Sequence, residues 1–231
     1  MNIIKNEKLI KRNGRIGQWT SLAGLAVLAG GMYISFQKPE LFSYSLAALL
    51  VGFLLTQVSM YYGNRFGRSP RPDEKLDAGL KGLPGDFVIF HYSTSVPHLV
   101  IGPAGVWILM PYHQKGHIIY TNNRWKMSGG GFLQNYLRIF GQEGLGRPDL
   151  DAEHHIAMLK KFLEKHSEGG TVPEIQAVMT FTNNEVELDP GDSPLMALKI
   201  KQLKEFFRNK AREKKLGSLE LDRLNKIFQN S

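Results

Sequence analysis

WTSLAGLAVLAGGMYISF (Trp19–Phe36) and LFSYSLAALLVGFLLTQVSMYY (Leu41–Tyr62) are separated only by Gln37-Lys38-Pro39-Glu40, and neither run contains a charged side chain. The runs are eighteen and twenty-two residues long, and about twenty apolar residues in a helix cross a hydrocarbon core of about 30 Å. A link of four residues cannot return across a bilayer. The sequence therefore predicts an antiparallel transmembrane hairpin with both flanks on one side, Pro39 starting the second helix. Lys5, Lys8, Lys11, Arg12 and Arg15 precede the first run against Glu7; Arg65, Arg68, Arg71 and Lys75 follow the second, whereas the link carries one charge of each sign. The positive-inside bias then gives a multi-pass cell-membrane protein with both termini cytoplasmic. A cleaved signal peptide fits less well, because a second apolar run follows at once and Ala29-Gly30-Gly31 is a poor cleavage site. Trp19, Phe36, Phe42, Tyr44, Tyr61 and Tyr62 stand at the margins of the runs, where aromatic side chains anchor at membrane interfaces. Gly24, Gly30 and Gly31 are the small residues through which the helices are expected to pack.

The formal net charge of +8 invites a nucleic-acid reading, but its placement argues otherwise. Residues 1–63 hold six Lys/Arg and two Asp/Glu, leaving 23 against 19 for the other 168 residues; without Arg65, Arg68 and Arg71 that balance is 20 against 19. The excess matches membrane topology and attraction to anionic lipid more than a nucleic-acid surface. Cysteine is absent, which excludes disulfides, thiol catalysis and thiolate metal sites and agrees with a reducing cytoplasm. The residues after the hairpin have the mixed composition of a chain with a core and suit a single domain.

These features divide the chain into a basic N-terminus at 1–18, the hairpin at 19–62, an Arg/Gly/Ser/Pro-rich linker at 63–72, a domain at 73–190 and a helical extension at 191–231. Asp73 is placed to cap a helix with Leu76, Leu80 and Leu83 on one face, ended by Pro84-Gly85. Three strands follow, at Phe87–Tyr92, His98–Ile101 and Val106–Met110, the last two joined by a tight turn at Gly102-Pro103-Ala104-Gly105. His117–Tyr120 adds a strand that turns at Asn122-Asn123, with Trp125 closing one end of the sheet. Glycines at 129–131 and the stretch 141–148 bracket an irregular region. Asp149 is placed to cap a helix with Ile156, Leu159 and Leu163 along one face, and Ala177–Phe181 reads as a buried strand reached by that crossover. Two further helices are expected, one with Met196, Ile200, Leu203 and Phe207 inward, the other with Leu221, Leu224 and Phe228. The fold class is α/β, in the order α-β-β-β-α-β.

Three stretches carry a family resemblance. Asp73-Glu74 opens a helix ending in Leu80-Lys-Gly-Leu-Pro-Gly, His98-Leu-Val-Ile-Gly-Pro-Ala-Gly-Val-Trp-Ile spans two strands and their turn, and Gly116, Trp125 and Pro148 follow in order. On these residues the chain from Pro72 to about Phe181 resembles the NERD (nuclease-related) domain, a branch of the PD-(D/E)XK restriction-endonuclease-like fold. The resemblance implies a four-stranded mixed sheet flanked by helices and, in active members, a divalent-metal nuclease site. Hard cations such as Mg²⁺ or Mn²⁺ need several oxygen ligands, and the cleavage needs a lysine beside the attacked phosphate. Where the family has an Asp before the His-Leu-Val-Ile-Gly-Pro stretch, this chain has Pro97; where it has Glu-x-Lys, this chain has Met110-Pro111-Tyr112. Glu74 alone remains, at the position of the helix-borne acid. The expected site is a catalytically silent remnant with no metal and no cofactor, a pseudoenzyme in which Met110 and Tyr112 pack on the former catalytic face.

Other chemistry is weaker. Lys115 lies three residues beyond the lysine position, so in a continuing strand it points to the opposite face. His113 and His117 are four apart, but Pro111 and Gly116 argue against the helix that would align them. His154 and His155 are adjacent and diverge on a helix; His98 reads as a packed side chain, with ligation of a soft metal beside Glu74 as the alternative. The glycine run at 129–131 lacks the Lys-Ser/Thr of a phosphate loop. Arg65, Arg68 and Arg71 near the hairpin, and Lys199, Lys204 and Arg208 in the late basic helix, are the candidate contacts to phosphate of lipid or nucleic acid. The partners expected are therefore the lipid bilayer, a protein in the membrane or at its cytoplasmic face and, more weakly, nucleic acid. The function expected is a membrane-anchored binding or scaffolding module; a divergent metal-dependent nuclease and a structural subunit of a membrane complex are the alternatives.

Overall fold

A computed structural model describes residues 1–128, 144–167, 172–213 and 216–229. The glycine run at 129–131 lies outside the described residues, as do residues 141–143 of the region read as irregular. The described chain divides into two compact units, Glu7–Arg71 and a second formed by Met1–Asn6 together with Pro72–Ser231.

The first unit is a pair of helices, α1 (Glu7–Gln37) and α2 (Phe42–Tyr62), joined through a short 3-10 turn at Pro39–Leu41 and followed by a π-helical turn at Gly63–Gly67. Both helices are long and apolar enough to cross a membrane, and only 11% of each apolar window is buried within the protein. That exposure sets them apart from the core helices of a soluble fold. The seam between them is built from small residues at seven-residue spacing, Gly17, Gly24 and Gly31 of α1, facing Ser45 and Gly52 of α2. Close approach lets hydroxyls bridge the helices: Ser45 donates to the Gly31 carbonyl at 2.9 Å and Ser59 to the Gly17 carbonyl at 3.0 Å. A Cβ on Gly31 would come within 2.7 Å of the Ala48 Cβ, whereas one on Gly30 would meet nothing. Gly24 and Gly31 thus pack as expected and Gly30 does not, because consecutive residues on a helix diverge by about 100°. Helix α1 also starts twelve residues before Trp19, so the basic segment read as an N-terminal flank is mostly helix.

The second unit is a mixed α/β domain. Its main sheet has six strands in the order β1-β2-β3-β4-β7-β9, namely β1 (Asn2–Lys5), β2 (Val88–His91), β3 (His98–Gly102), β4 (Gly105–Tyr112), β7 (Ile175–Phe181) and β9 (Met196–Lys199). Strands β2, β3 and β4 are antiparallel neighbours; β1 joins β2, β7 joins β4 and β9 joins β7 in parallel. A second sheet holds three strands in the order β6-β5-β8, with β5 at Gly116–Thr121, β6 at Arg124–Ser128 and β8 at Val186–Asp189. Helix α3 (Pro72–Leu80) precedes β2, and α4 (Pro148–His166) supplies the crossover that a parallel β4–β7 pairing requires. Helices α5 (Leu203–Glu213) and α6 (Ser218–Gln229) close the chain.

Strand alternation sorts the core onto two faces. Phe90, Leu99, Ile101, Ile108, Met110 and Met179 pack with Leu159 and Leu163 of α4 and Leu224 and Phe228 of α6. Ile89, Val100, Trp107, Leu109 and Val178 pack with Leu76 and Leu80 of α3 and Leu203 and Phe207 of α5. The turns follow their sequence signals. Gly102 pairs with Gly105 around Pro103-Ala104, and Asn122 and Asn123 take positive φ of 52° and 56° between β5 and β6.

Four sequence expectations change. The spacing of Met196, Ile200, Leu203 and Phe207 is helical, yet Met196–Lys199 forms β9 because β7 offers it an open edge, and the α-helix begins only at Leu203. Sheet structure thus continues past residue 190. Asp73 and Asp149 do not cap their helices: Pro72 and Pro148 begin them, and each Asp lies in the first turn. Trp125 is buried in the three-stranded sheet, its ring 5.5 Å from that of Tyr120, rather than at an end of the main one. Finally, Asn2–Lys5, which carries no strong strand signal, is the edge strand β1.

Candidate functional site

The parity of three adjacent strands places Lys5, His91 and His98 in one row. In β1, Lys5 stands opposite His91 of β2, and His91 stands opposite His98 of β3. Because Val88 and Phe90 turn to the α4/α6 face, His91 turns to the face covered by α3. Asp73 and Asp77 are four residues apart on α3 and so share its sheet-facing side. The Lys5 Nζ donates to Asp73 Oδ2 at 2.9 Å and to Asp77 Oδ2 at 2.5 Å. The other oxygen of Asp77 lies 3.0 Å from His91 Nε2, and His91 Nδ1 lies 2.7 Å from His98 Nδ1. The Tyr92 ring packs edge-on against His98 with centroids 4.8 Å apart.

This is a continuous polar chain from an ammonium to an imidazole, and most of it is out of water. Asp73 and His91 are fully buried and His98 is 2% exposed, while the side chains of Lys5 and Asp77 keep 18% and 17% exposure. Burial opposes the charge on both Lys5 and Asp77, but hydrogen bonding outweighs it. Asp77 and Asp73 hold the Lys5 ammonium above the ordinary lysine range, and His91 and Lys5 hold the Asp77 carboxyl below the usual carboxylate range. With neutral rings, the proton order that satisfies every contact has His91 Nε2–H donating to Asp77 and His98 Nδ1–H donating to His91 Nδ1. The ammonium sits between the two carboxylates and balances one of their two negative charges. Among the described residues, no group of three or more His, Asp or Glu side chains is arranged to hold a metal ion.

The positions suggested by the family resemblance fall on two sides of the sheet. Glu74, half-buried, belongs to α3, whose apolar residues pack with Trp107 and Leu109. Met110 and Tyr112 alternate to the opposite face, where Met110 is 6% exposed and the Tyr112 ring stacks on Phe181 with centroids 5.5 Å apart. Pro97 precedes β3, and its carbonyl accepts the Tyr92 N–H at 2.8 Å. Met110→Ala is accordingly expected to cost about 2–5 kcal/mol through the lost apolar contacts and the cavity left behind. An unchanged midpoint in denaturant unfolding would mean that Met110 is not packed.

The remaining candidates are dispersed. His113 and His117 are exposed on and before β5, and His154 and His155 lie on α4 with ring centroids 6.1 Å apart. Lys115 makes an exposed ion pair with Glu185 at 3.7 Å. Arg65 donates to the Tyr61 hydroxyl at 2.8 Å and lies 4.3 Å over that ring, while Arg68 is exposed and Arg71 half-buried. Arg208 is held by Glu205 at 2.7 Å and by the Gly82 carbonyl at 3.1 Å; Lys199 lies at the end of β9, and Lys204 in the first turn of α5. The late basic run is thus partly paired within its own helix, as a solvated surface would be.

Sequence reasoning missed Lys5, Asp77 and His91. The i,i+4 spacing of Asp73 and Asp77 was a legible signal, but their partner lies 68 residues from Asp73, on the far side of the hairpin in sequence. No protein-family model, curated protein or solved structure matches this sequence.

Proposed function

We propose that this chain is a membrane-anchored module with a NERD-like, restriction-endonuclease-like domain at the cytoplasmic face, where it binds or scaffolds a partner without catalysing nucleic-acid cleavage. One observation carries the membrane part. Strand β1, before the two apolar helices, and α3, after them, belong to the same folded unit, so the chain must leave and re-enter that domain from one side of any bilayer it crosses. A two-helix hairpin satisfies this and a single span does not. The basic residues flanking both outer ends favour the cytoplasm for that side.

The order α3-β2-β3-β4-β5-β6-α4-β7, in which β5 and β6 belong to the second sheet and β4 and β7 pair in parallel, supports the restriction-endonuclease-like reading of the domain. Its catalytic silence is argued from chemistry. Proline and methionine offer a hard cation no useful oxygen ligand, and Tyr112 cannot supply the positive charge of a lysine near neutral pH. Met110 is also committed to the core.

Two experiments test this. Single cysteines at Ser43 and Ser231 of this cysteine-free chain are expected to differ, with an impermeant thiol reagent outside intact cells labelling position 43 and not 231. The opposite pattern overturns the orientation. The purified full chain, incubated with single- and double-stranded DNA and with RNA in Mg²⁺ or Mn²⁺, is expected to cleave none of them. Turnover that disappears in Glu74→Ala would instead establish a divergent nuclease.

A further inference from the structure

Lys8, Lys11, Arg12, Arg15 and Trp19 line, with Ile16, an open groove of about 580 Å³ along one side of α1. At 100° per residue these positions fall within an arc of about 140°. The four cations and Trp19 are exposed, Trp19 at 70%. None of the four cations makes an ion pair among the described residues. Glu7, the sole acid of α1, lies outside the arc. Beyond α2, Arg65 is already held on Tyr61 and Arg68 is a single exposed cation, so the largest group of uncommitted cations in this unit is the one on α1.

Position along the helix completes the argument. Trp19 begins the uncharged run, and a rise of about 1.5 Å per residue puts Arg15 about 6 Å and Lys8 about 17 Å outside it. With the Trp19 ring at the membrane interface, Arg15 reaches the depth of the lipid phosphates, and Arg12, Lys11 and Lys8 lie just beyond. Over that span, four like charges with Glu7 alone as a nearby counter-charge repel one another on balance, and screening leaves much of the repulsion in place because the Debye length is about 8 Å. An anionic group entering the groove relieves it. The indole beside the cations supplies an apolar wall for the glycerol region of a lipid, which a free anion would not use.

We propose that this face of α1 is a binding site for the headgroups of anionic phospholipids in the bilayer that the hairpin spans. The inference rests on the spanning reading above and adds the lipid class and the residues that select it. The test uses the full chain in phosphatidylcholine nanodiscs containing a trace of spin-labelled phosphatidylglycerol or spin-labelled phosphatidylcholine, and reads the motionally restricted fraction of each label. Phosphatidylglycerol is expected to be preferred about fivefold. The preference should fall to parity in the K8Q/K11Q/R12Q/R15Q variant and persist in K160Q/K161Q, which removes two exposed cations of α4. An unchanged restricted fraction of phosphatidylcholine in the fourfold variant shows that its hairpin is intact. Parity in the unmodified protein, or selectivity retained in the fourfold variant, overturns the proposal. Loss of selectivity in phosphate but not in chloride of equal ionic strength assigns the groove to the free anion and overturns it as well. If neither lipid is restricted, it is the spanning reading that fails, and the headgroup site fails with it.

Discussion

Lys5→Met is expected to lower the unfolding free energy of the domain by about 3–5 kcal/mol, the usual cost of removing one partner from a buried ion pair. The reason is the carboxylate left behind. Asp73 has no exposed surface, and Lys5 supplies a hydrogen-bonded positive charge 2.9 Å from its Oδ2. The 18% exposure of the Lys5 side chain moves the expectation toward the lower end of the range. Denaturant unfolding of the full chain, followed by the buried Trp107 and Trp125, measures it. Adding Asp73→Asn to Lys5→Met should recover part of the loss, since the buried carboxylate that has lost its ammonium is then removed. An unchanged midpoint in Lys5→Met would mean that the network does not hold β1. The pH dependence has a definite sign. Asp77 is held below its usual range, so its contribution is present above the unfolded carboxylate pKa of about 4 and is lost as pH falls through the lower folded value. Lys5 is shifted upward, so its contribution is complete below about pH 10 and is lost only as pH rises through its folded value. Between these limits this pair gives no slope, and the acid limb should shrink in Asp77→Asn.

A larger effect is expected from cutting the chain where the sequence suggests. A fragment of residues 72–231 lacks β1, so it exposes the edge of β2 and loses the Ile4 packing and the Lys5 charge together. The loss should exceed that of Lys5→Met and approach the whole stability of a domain, about 5–15 kcal/mol. The fragment is expected to be unfolded or aggregated. Joining residues 1–6 to residue 72 through a short Gly/Ser linker should restore a soluble, cooperatively unfolding domain, because the Lys5 and Asp73 side chains touch and the gap to bridge is small. Equal unfolding midpoints for the two proteins would show that β1 is dispensable.

The late helices show both success and failure of local reading. Leu221, Leu224 and Phe228 are buried as their spacing requires, and so are Leu203 and Phe207. Met196 is 38% exposed on a strand. Its place in a helical series was coincidental, since a run of four residues fits either period and pairing with β7 decides between them. His98 is packed, as its sequence setting suggests, but against His91, whose involvement depends on strand register.

What the sequence by itself determined is local. Two uncharged runs with a four-residue link make two adjacent apolar helices, since hydropathy and length need no knowledge of the rest of the chain. Paired turn signals at Gly102–Gly105 and Asn122-Asn123 placed two hairpins, and the compact apolar run Ala177–Phe181 marked β7 as a buried strand. Tertiary structure alone decided that Asn2–Lys5 returns to the sheet, that Met196–Lys199 extends it, and that Lys5, Asp77, His91 and His98 meet in one buried chain. The physical reason is that a short edge strand has little preference of its own. Its hydrogen bonds and its charge partner come from β2 and α3, which lie across the whole hairpin in sequence and adjoin it only once the chain has folded.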